Sequence, residues 1–285
     1  MIPLTVNLQN QTPSTCSSWP VLSSTLASSL DITSYPRIFP CILCSSPGMI
    51  STLLGKPDGH RPWPEPGEPI DLVHLRRLYV NDPTCLNYLR APGLEEIATW
   101  ITKPEITENF ISLERFLMRS SCSPRRLCIQ GPLDVQSTAG ILEKCPSITE
   151  IAVTHEIEGD ESTQRDILSR FLALFTISDS TPSAMVLPHV TEIGFACENV
   201  DASIYPLFLD MLESRWNVAK DAFKAAELVF LKSHLDPDPQ AAARIETLRD
   251  DGLKISISSG VVARDRIDRW FFKPAWASTP SSFLY

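Results

Sequence analysis

Glycine is scarce in this 285-residue chain, with 11 in all, and basic side chains are outnumbered, 25 Lys and Arg against 34 Asp and Glu. The formal charge of −9 has the wrong sign for a protein whose main partner is a phosphate backbone, so general nucleic-acid binding is disfavoured. Long apolar runs are missing as well. No window reaches the roughly 18 residues of a membrane span, and no transmembrane helix is expected. The opening Met1-Ile2-Pro3-Leu4-Thr5-Val6-Asn7 lacks the basic and apolar regions of a secretory signal. These absences point to an intracellular protein, cytoplasmic or nuclear, whose eight Cys are reduced thiols rather than a disulfide framework. Signatures of catalysis are lacking too: there is no G-x-S-x-G, no P-loop and no G-x-G-x-x-G, and no cofactor is called for.

What the chain has in excess is proline, 24 residues of it, 11 of them within residues 1–70 beside 11 Ser and only seven charged side chains. The run Pro62-Trp63-Pro64-Glu65-Pro66-Gly67-Glu68-Pro69 continues neither a helix nor a central strand, because proline fixes φ and removes a donor. Residues 1–70 therefore read as a poorly ordered or weakly docked segment. Residues 71–273 read as the folded domain and 274–285 as a tail.

From residue 71 a strand-like unit recurs, apolar at its first, fourth and usually sixth positions. The six instances are Leu75–Val80, Leu94–Thr99, Pro124–Ile129, Ile148–Val153, Val190–Phe195 and Ala225–Phe230. A seventh candidate, Leu253–Ser258, alternates cleanly but departs from the register. Helical periodicity fills the intervals: Phe110, Leu113, Phe116 and Leu117; Ile167, Leu168, Phe171, Leu172 and Phe175; Ile204, Phe208, Met211 and Leu212. Leu133 to Cys145 reads as a helix limited by Pro146. Ala241 to Leu248 reads as another, opened by Asp238-Pro239 and stopped at Gly252.

Strands alternating with crossover helices imply parallel pairing. One strand and one helix cannot bury both apolar faces, whereas stacked units can. The expected fold is thus α/β, an irregular leucine-rich-repeat solenoid with parallel strands on the concave face and helices outside. It is irregular because successive units start 19 to 42 residues apart. A doubly wound sheet is the competing reading, but its strands would be apolar on both faces, and these carry charge in nearly every unit.

Leu75–Val80, Leu89–Ile97, Arg125–Ile129, Pro146–Ile151 and Leu187–Ile193 together resemble the leucine-rich half of the expanded F-box-like proteins of mushroom-forming fungi, over roughly residues 71–273. The resemblance implies a repeat domain that holds a protein substrate, paired with an F-box that docks a Skp-type adaptor in a cullin ubiquitin ligase. Residues 1–70 contain neither the Leu-Pro opening of an F-box nor the helical turns after it, so an adaptor is implied only if the box lies outside the recognisable sequence. The expected function is non-enzymatic protein recognition, which the resemblance extends to the substrate-receptor half of such a ligase, by a chain that is a monomer on its own. The alternatives are an α/β hydrolase or transferase with an unrecognised site, and a truncated family member without function.

The third position of each unit should face solvent on the concave side. This ladder is Arg77, Glu96, Arg126, Glu150, Glu192 and Glu227, with Tyr79 on the same face. The first four alternate in sign. Glu150, Glu192 and Glu227 form an acidic run without a partner in the ladder, suited to a basic segment of another protein or simply a solvated face. Cys41-x-x-Cys44 lacks the second ligand pair that tetrahedral zinc needs, and Cys122, Cys128, Cys145 and Cys197 read as packing residues. His60, His74, His155, His189 and His234 are scattered, with a turn role expected for His74 and His189. The cluster Glu156, Glu158, Asp160 and Glu161 lacks the ligand spacing of an EF-hand. Arg264–Phe272 mixes charge with aromatics, and the expected role of Trp270 and Phe271 is to seal the open core of the last unit.

Overall fold

Apolar residues at three positions of each unit require a second layer to cover them, and the chain supplies it as helices on one face of a single parallel sheet. The computed structural model describes residues 50–54 as backbone, and residues 67–80, 82–102, 105–155, 161–177, 186–198, 200–220, 222–231 and 236–272. The strands are β1 (Ile50–Leu54), β2 (Ile70–Asp71), β3 (Leu75–Val80), β4 (Leu89–Arg90), β5 (Glu96–Trp100), β6 (Arg126–Gln130), β7 (Glu150–His155), β8 (Glu192–Cys197), β9 (Ala225–Phe230) and β10 (Lys254–Ser259). The helices are α1 (Ile106–Ser120), α2 (Val135–Lys144), α3 (Glu161–Phe175), α4 (Ile204–Ala219), α5 (Pro239–Asp250) and α6 (Gly260–Phe272). Eight strands form one sheet in the order β1-β3-β5-β6-β7-β8-β9-β10, every neighbouring pair parallel. The short β2 and β4 pair with each other alone.

The order is sequential, so each strand lies beside the next one in the chain. β1 falls within the segment expected to be poorly docked: Ile50–Leu54 pairs with β3 from Leu75 to Val80. The sheet thus starts at Ile50, inside the segment that precedes the composition boundary at residue 71. Between β3 and β5 the short interval takes a 3-10 helix, Pro83–Tyr88, opened by Asp82 accepting from the Thr84 N–H at 3.1 Å, in place of an α-helix.

In four units the strand begins at the third position, and the first apolar residue closes the preceding turn. Leu94, Ile148 and Val190 are buried there. At the second position the backbone continues as a ladder, Glu95 N–H to Arg76 O, Arg125 to Glu95, Thr149 to Arg125, Thr191 to Thr149 and Lys224 to Thr191, at 2.7–2.8 Å. Lys224 therefore occupies the second position of its unit and Phe223, buried at 1 % exposure, the first. The unit begins two residues earlier than its sequence pattern indicates. β10, expected out of register, pairs continuously with β9 from Lys254 to Ser259.

The fourth and sixth positions, such as Ile97, Leu127 with Ile129, Ile151 with Val153, and Ile193 with Phe195, form the main core with the buried faces of α1 to α5. Consecutive helices pack in turn, α1 on α2, α2 on α3, α3 on α4 and α4 on α5. Phe195 lies edge-on to Phe171, Phe175 and Phe208, with centroids 5.3, 6.0 and 6.3 Å away, contacts worth about 0.5–1.5 kcal/mol each beyond burial. The helix start read at Asp238-Pro239 is seen as a cap, and α2 has one as well. Asp238 accepts from the Ala241 N–H at 2.7 Å with Pro239 opening α5, and Asp134 accepts from the Gln136 and Ser137 N–H groups to open α2.

Two helical arginines donate to backbone carbonyls at the ends of elements and in the loop before β8. Arg119 donates to Leu86 O and Leu89 O. Arg215, 3 % exposed, donates to Phe175 O, Leu187 O and Val186 O at 2.6, 3.0 and 2.6 Å, and burial lowers its guanidinium to about 10. His74 and His189 sit in turns ahead of β3 and β8. No described helix is long and apolar enough to cross a membrane.

Candidate functional site

The sheet face opposite α1–α5 carries two registered rows of side chains, because successive residues of a strand alternate between faces. The lower row runs Arg77, Glu96, Arg126, Glu150, Glu192, Ala225 and Lys254. Five of the six ladder residues expected from the repeat stand in it. Arg77 Nε pairs with Glu96 at 2.9 Å and Arg126 Nη1 with Glu150 at 3.4 Å. Just outside the row, Glu95 bridges Arg76 and Arg125 at 3.0 and 3.3 Å. The alternation of sign is thus used within the chain.

Glu227 is not in that row. β9 is shifted by two residues relative to the repeat alignment, so Ala225 lies opposite Glu192, and Glu227 lies opposite Gly194. An even shift keeps the side chain on the same face but moves it up one row. That upper row reads Tyr79, Ala98, Cys128, Ala152, Gly194, Glu227 and Ser256. Four consecutive small residues make a trough between Tyr79 and Glu227.

α6 lies in this trough. Expected to seal the end of the main core, Trp270 and Phe271 instead pack on the opposite face of the sheet, with Ala98, Cys128, Ala152, Ala196 and Val229 beneath Ala263, Ile267, Trp270 and Phe271. The physical reason is shape: a Cβ on Gly194 would stand 2.8 Å from the Trp270 ring, so only a glycine admits the indole so close. Phe271 meets Tyr79 edge-on with centroids 6.5 Å apart.

Polar contacts fix both parts of the helix. Glu227 receives Trp270 Nε1–H at 2.7 Å and Arg266 Nε–H at 2.9 Å, with a second, shorter contact from Arg266 Nη2. The hydrogen bond to Glu227 raises the Arg266 pKa. Arg126 Nη2 donates to Trp270 O at 2.8 Å, and Cys128 Sγ lies 3.4 Å from the same oxygen.

The acidic run is therefore corrected. Glu227 is taken by Arg266 and Trp270, Glu150 by Arg126, and Glu192 alone is exposed. Between Arg126, Glu150, Glu192, Gly194, Glu227 and Trp270 remains a space of about 40 Å3, enough for a few water molecules. With α6 docked, Glu192 is the member of the acidic run left exposed. Among the described residues the β3–β5 side is the more open, with Trp100 41 % exposed.

Burial raises the pKa values of the described thiols, Cys122 to about 11 and Cys197 to about 12, and those of Cys85, Cys128 and Cys145 as well. Such groups stay protonated and pack as small hydrophobes. Among the described residues no group of three or more His, Cys, Asp or Glu is placed to hold a metal ion. Cys41, Cys44, His60, His234 and the side chains of Glu156, Glu158, Asp160 and Glu161 lie outside the described residues.

The repeat pattern brought the lower row together but missed the trough. Its signal was present: the fifth position of successive units reads Ala98, Cys128, Ala152 and Gly194, small where a free face has no need to be. Ala263, Ile267, Trp270 and Phe271 recur at helical spacing to match. No family model matches the chain, and neither a curated protein nor a solved structure matches it.

Proposed function

We propose that this chain is a non-enzymatic protein-recognition module built as an irregular leucine-rich-repeat array, with the sheet face opposite α1–α5 as its recognition face. One observation carries the reading: a registered face of charged pairs and small residues accepts an amphipathic helix through both polar and apolar contacts. The sequential parallel order and the burial of positions one, four and six support the repeat assignment. Arginines and carboxylates on this face are paired with one another, which suits recognition by complementarity. Membership of an F-box-type ubiquitin ligase rests on the resemblance of residues 71–273.

A photo-crosslinking residue placed at Trp100, on the open part of the face, is compared with one at Val218, exposed on α4. The expected result is a discrete polypeptide adduct from position 100 and none from 218. Adducts from both positions, or from neither, overturn the reading. For the ligase half, co-elution of the full chain with a purified Skp-type adaptor is the supporting result, and its absence removes that half.

A further inference from the structure

α6 and the trough beneath it form a hydrophobic unit distinct from the main core: no α6 residue belongs to the core between the sheet and α1–α5. Among the described residues, α6 takes no part in the main core and is the element that covers the trough. At the joint, Ser259 ends β10 and Gly260 opens α6 with φ +64°, and nothing lies within 4 Å of the place a Cβ would occupy. A backbone of this kind suits glycine, and the joint turns without disturbing packed neighbours. Val261 and Val262 beyond it are 81 % and 64 % exposed.

The trough reads a helix in two ways. Glu227 accepts an arginine and an indole from one helical face. Arg126 meets a carbonyl of the last turn, where the unpaired C=O groups carry the negative end of the helix dipole. An acid under the middle of the helix and a guanidinium at its C-terminal end fix its direction as well as its side chains.

We propose, building on the recognition reading above, that the trough is a helix-binding site occupied in cis by α6, and that a partner enters by displacing it with an amphipathic helix carrying an arginine four residues before a pair of aromatics. The spacing is that of Arg266 with Trp270 and Phe271. A joined helix competes at high effective concentration, so the free site is seen only when α6 lets go.

The experiment uses the full chain and a fluorescent peptide of residues 260–272. In the double variant Arg266→Glu, Trp270→Ala the peptide should bind at least tenfold more tightly than in the unaltered chain, and adding Glu227→Lys should abolish the binding. Equal affinity in both chains, or indifference to Glu227→Lys, overturns the proposal, as does exchange of α6 between copies seen as a dimer. Should the double variant fail to fold, hydrogen exchange on the unaltered chain decides. α6 amides should exchange through an opening that leaves β5–β9 protected, and joint exchange overturns the idea. Peptide binding without any adduct from position 100 leaves this device standing and removes the recognition reading; adducts with equal peptide affinity do the reverse.

Discussion

The two hydrophobic units of this protein are built by opposite rules. Between the sheet and α1–α5, large side chains come from both layers and interlock, with Phe195 edge-to-face against Phe171, Phe175 and Phe208. Under α6 the sheet gives up its bulk, with Ala98, Cys128, Ala152 and Gly194 as a floor, and the helix brings the aromatics. The first arrangement makes each layer depend on the other. In the second, one partner is nearly flat and the other carries the shape, so the two can separate without leaving a torn surface behind.

Removing a core ring should expose that difference most strongly. Phe195→Ala deletes a fully buried side chain with three aromatic neighbours and should cost about 4 kcal/mol, read as a lowered urea midpoint for the whole chain. Next in size is Arg215→Met, which removes the donors that Arg215 gives to Phe175 O, Val186 O and Leu187 O and should cost about 3 kcal/mol. A loss below 1 kcal/mol would mean that water replaces the guanidinium.

Alkaline pH tests the core through its thiols. Cys197 ionises near 12 when folded against an ordinary value of 9.0, so between these values the unfolded chain has released a proton that the folded chain retains. Stability is full below pH 9 and should fall by about 1.4 kcal/mol per pH unit above it from this thiol alone. Urea titrations from pH 8 to 11 should show that slope, reduced in Cys197→Ala; an unchanged slope would assign the loss to other groups. The smallest effect is expected in the second unit. Gly194→Ala places a methyl against the Trp270 ring and should cost about 1 kcal/mol or less, with tryptophan fluorescence shifted to the red while the urea midpoint stays close to that of the unaltered chain.

Much of the fold was legible because each unit must bury the same three positions, and that demand is local. Leu75, Leu94, Ile148 and Val190 announce their units directly. The N-cap Asp238 could be read for the same reason. β1 was hidden because Ile50-Ser51-Thr52-Leu53-Leu54 is too short to show a period amid proline and serine, and a paired β3 defines it. Glu227 was misplaced by one row because Ala225 fills the apolar position that Phe223 in fact holds. The position of α6 was legible as an aromatic, charged stretch, but its side of the sheet was not. A terminal helix packs where its shape is matched, and the matching residues are spread over units as far apart as Ala98 and Val229.

The bond from Arg126 to Trp270 joins residues 144 apart in a chain whose strands otherwise meet their immediate successors. During translation, every strand of the floor is made before its cover exists. A nascent chain therefore presents an uncovered groove until α6, last of the described elements, leaves the ribosome.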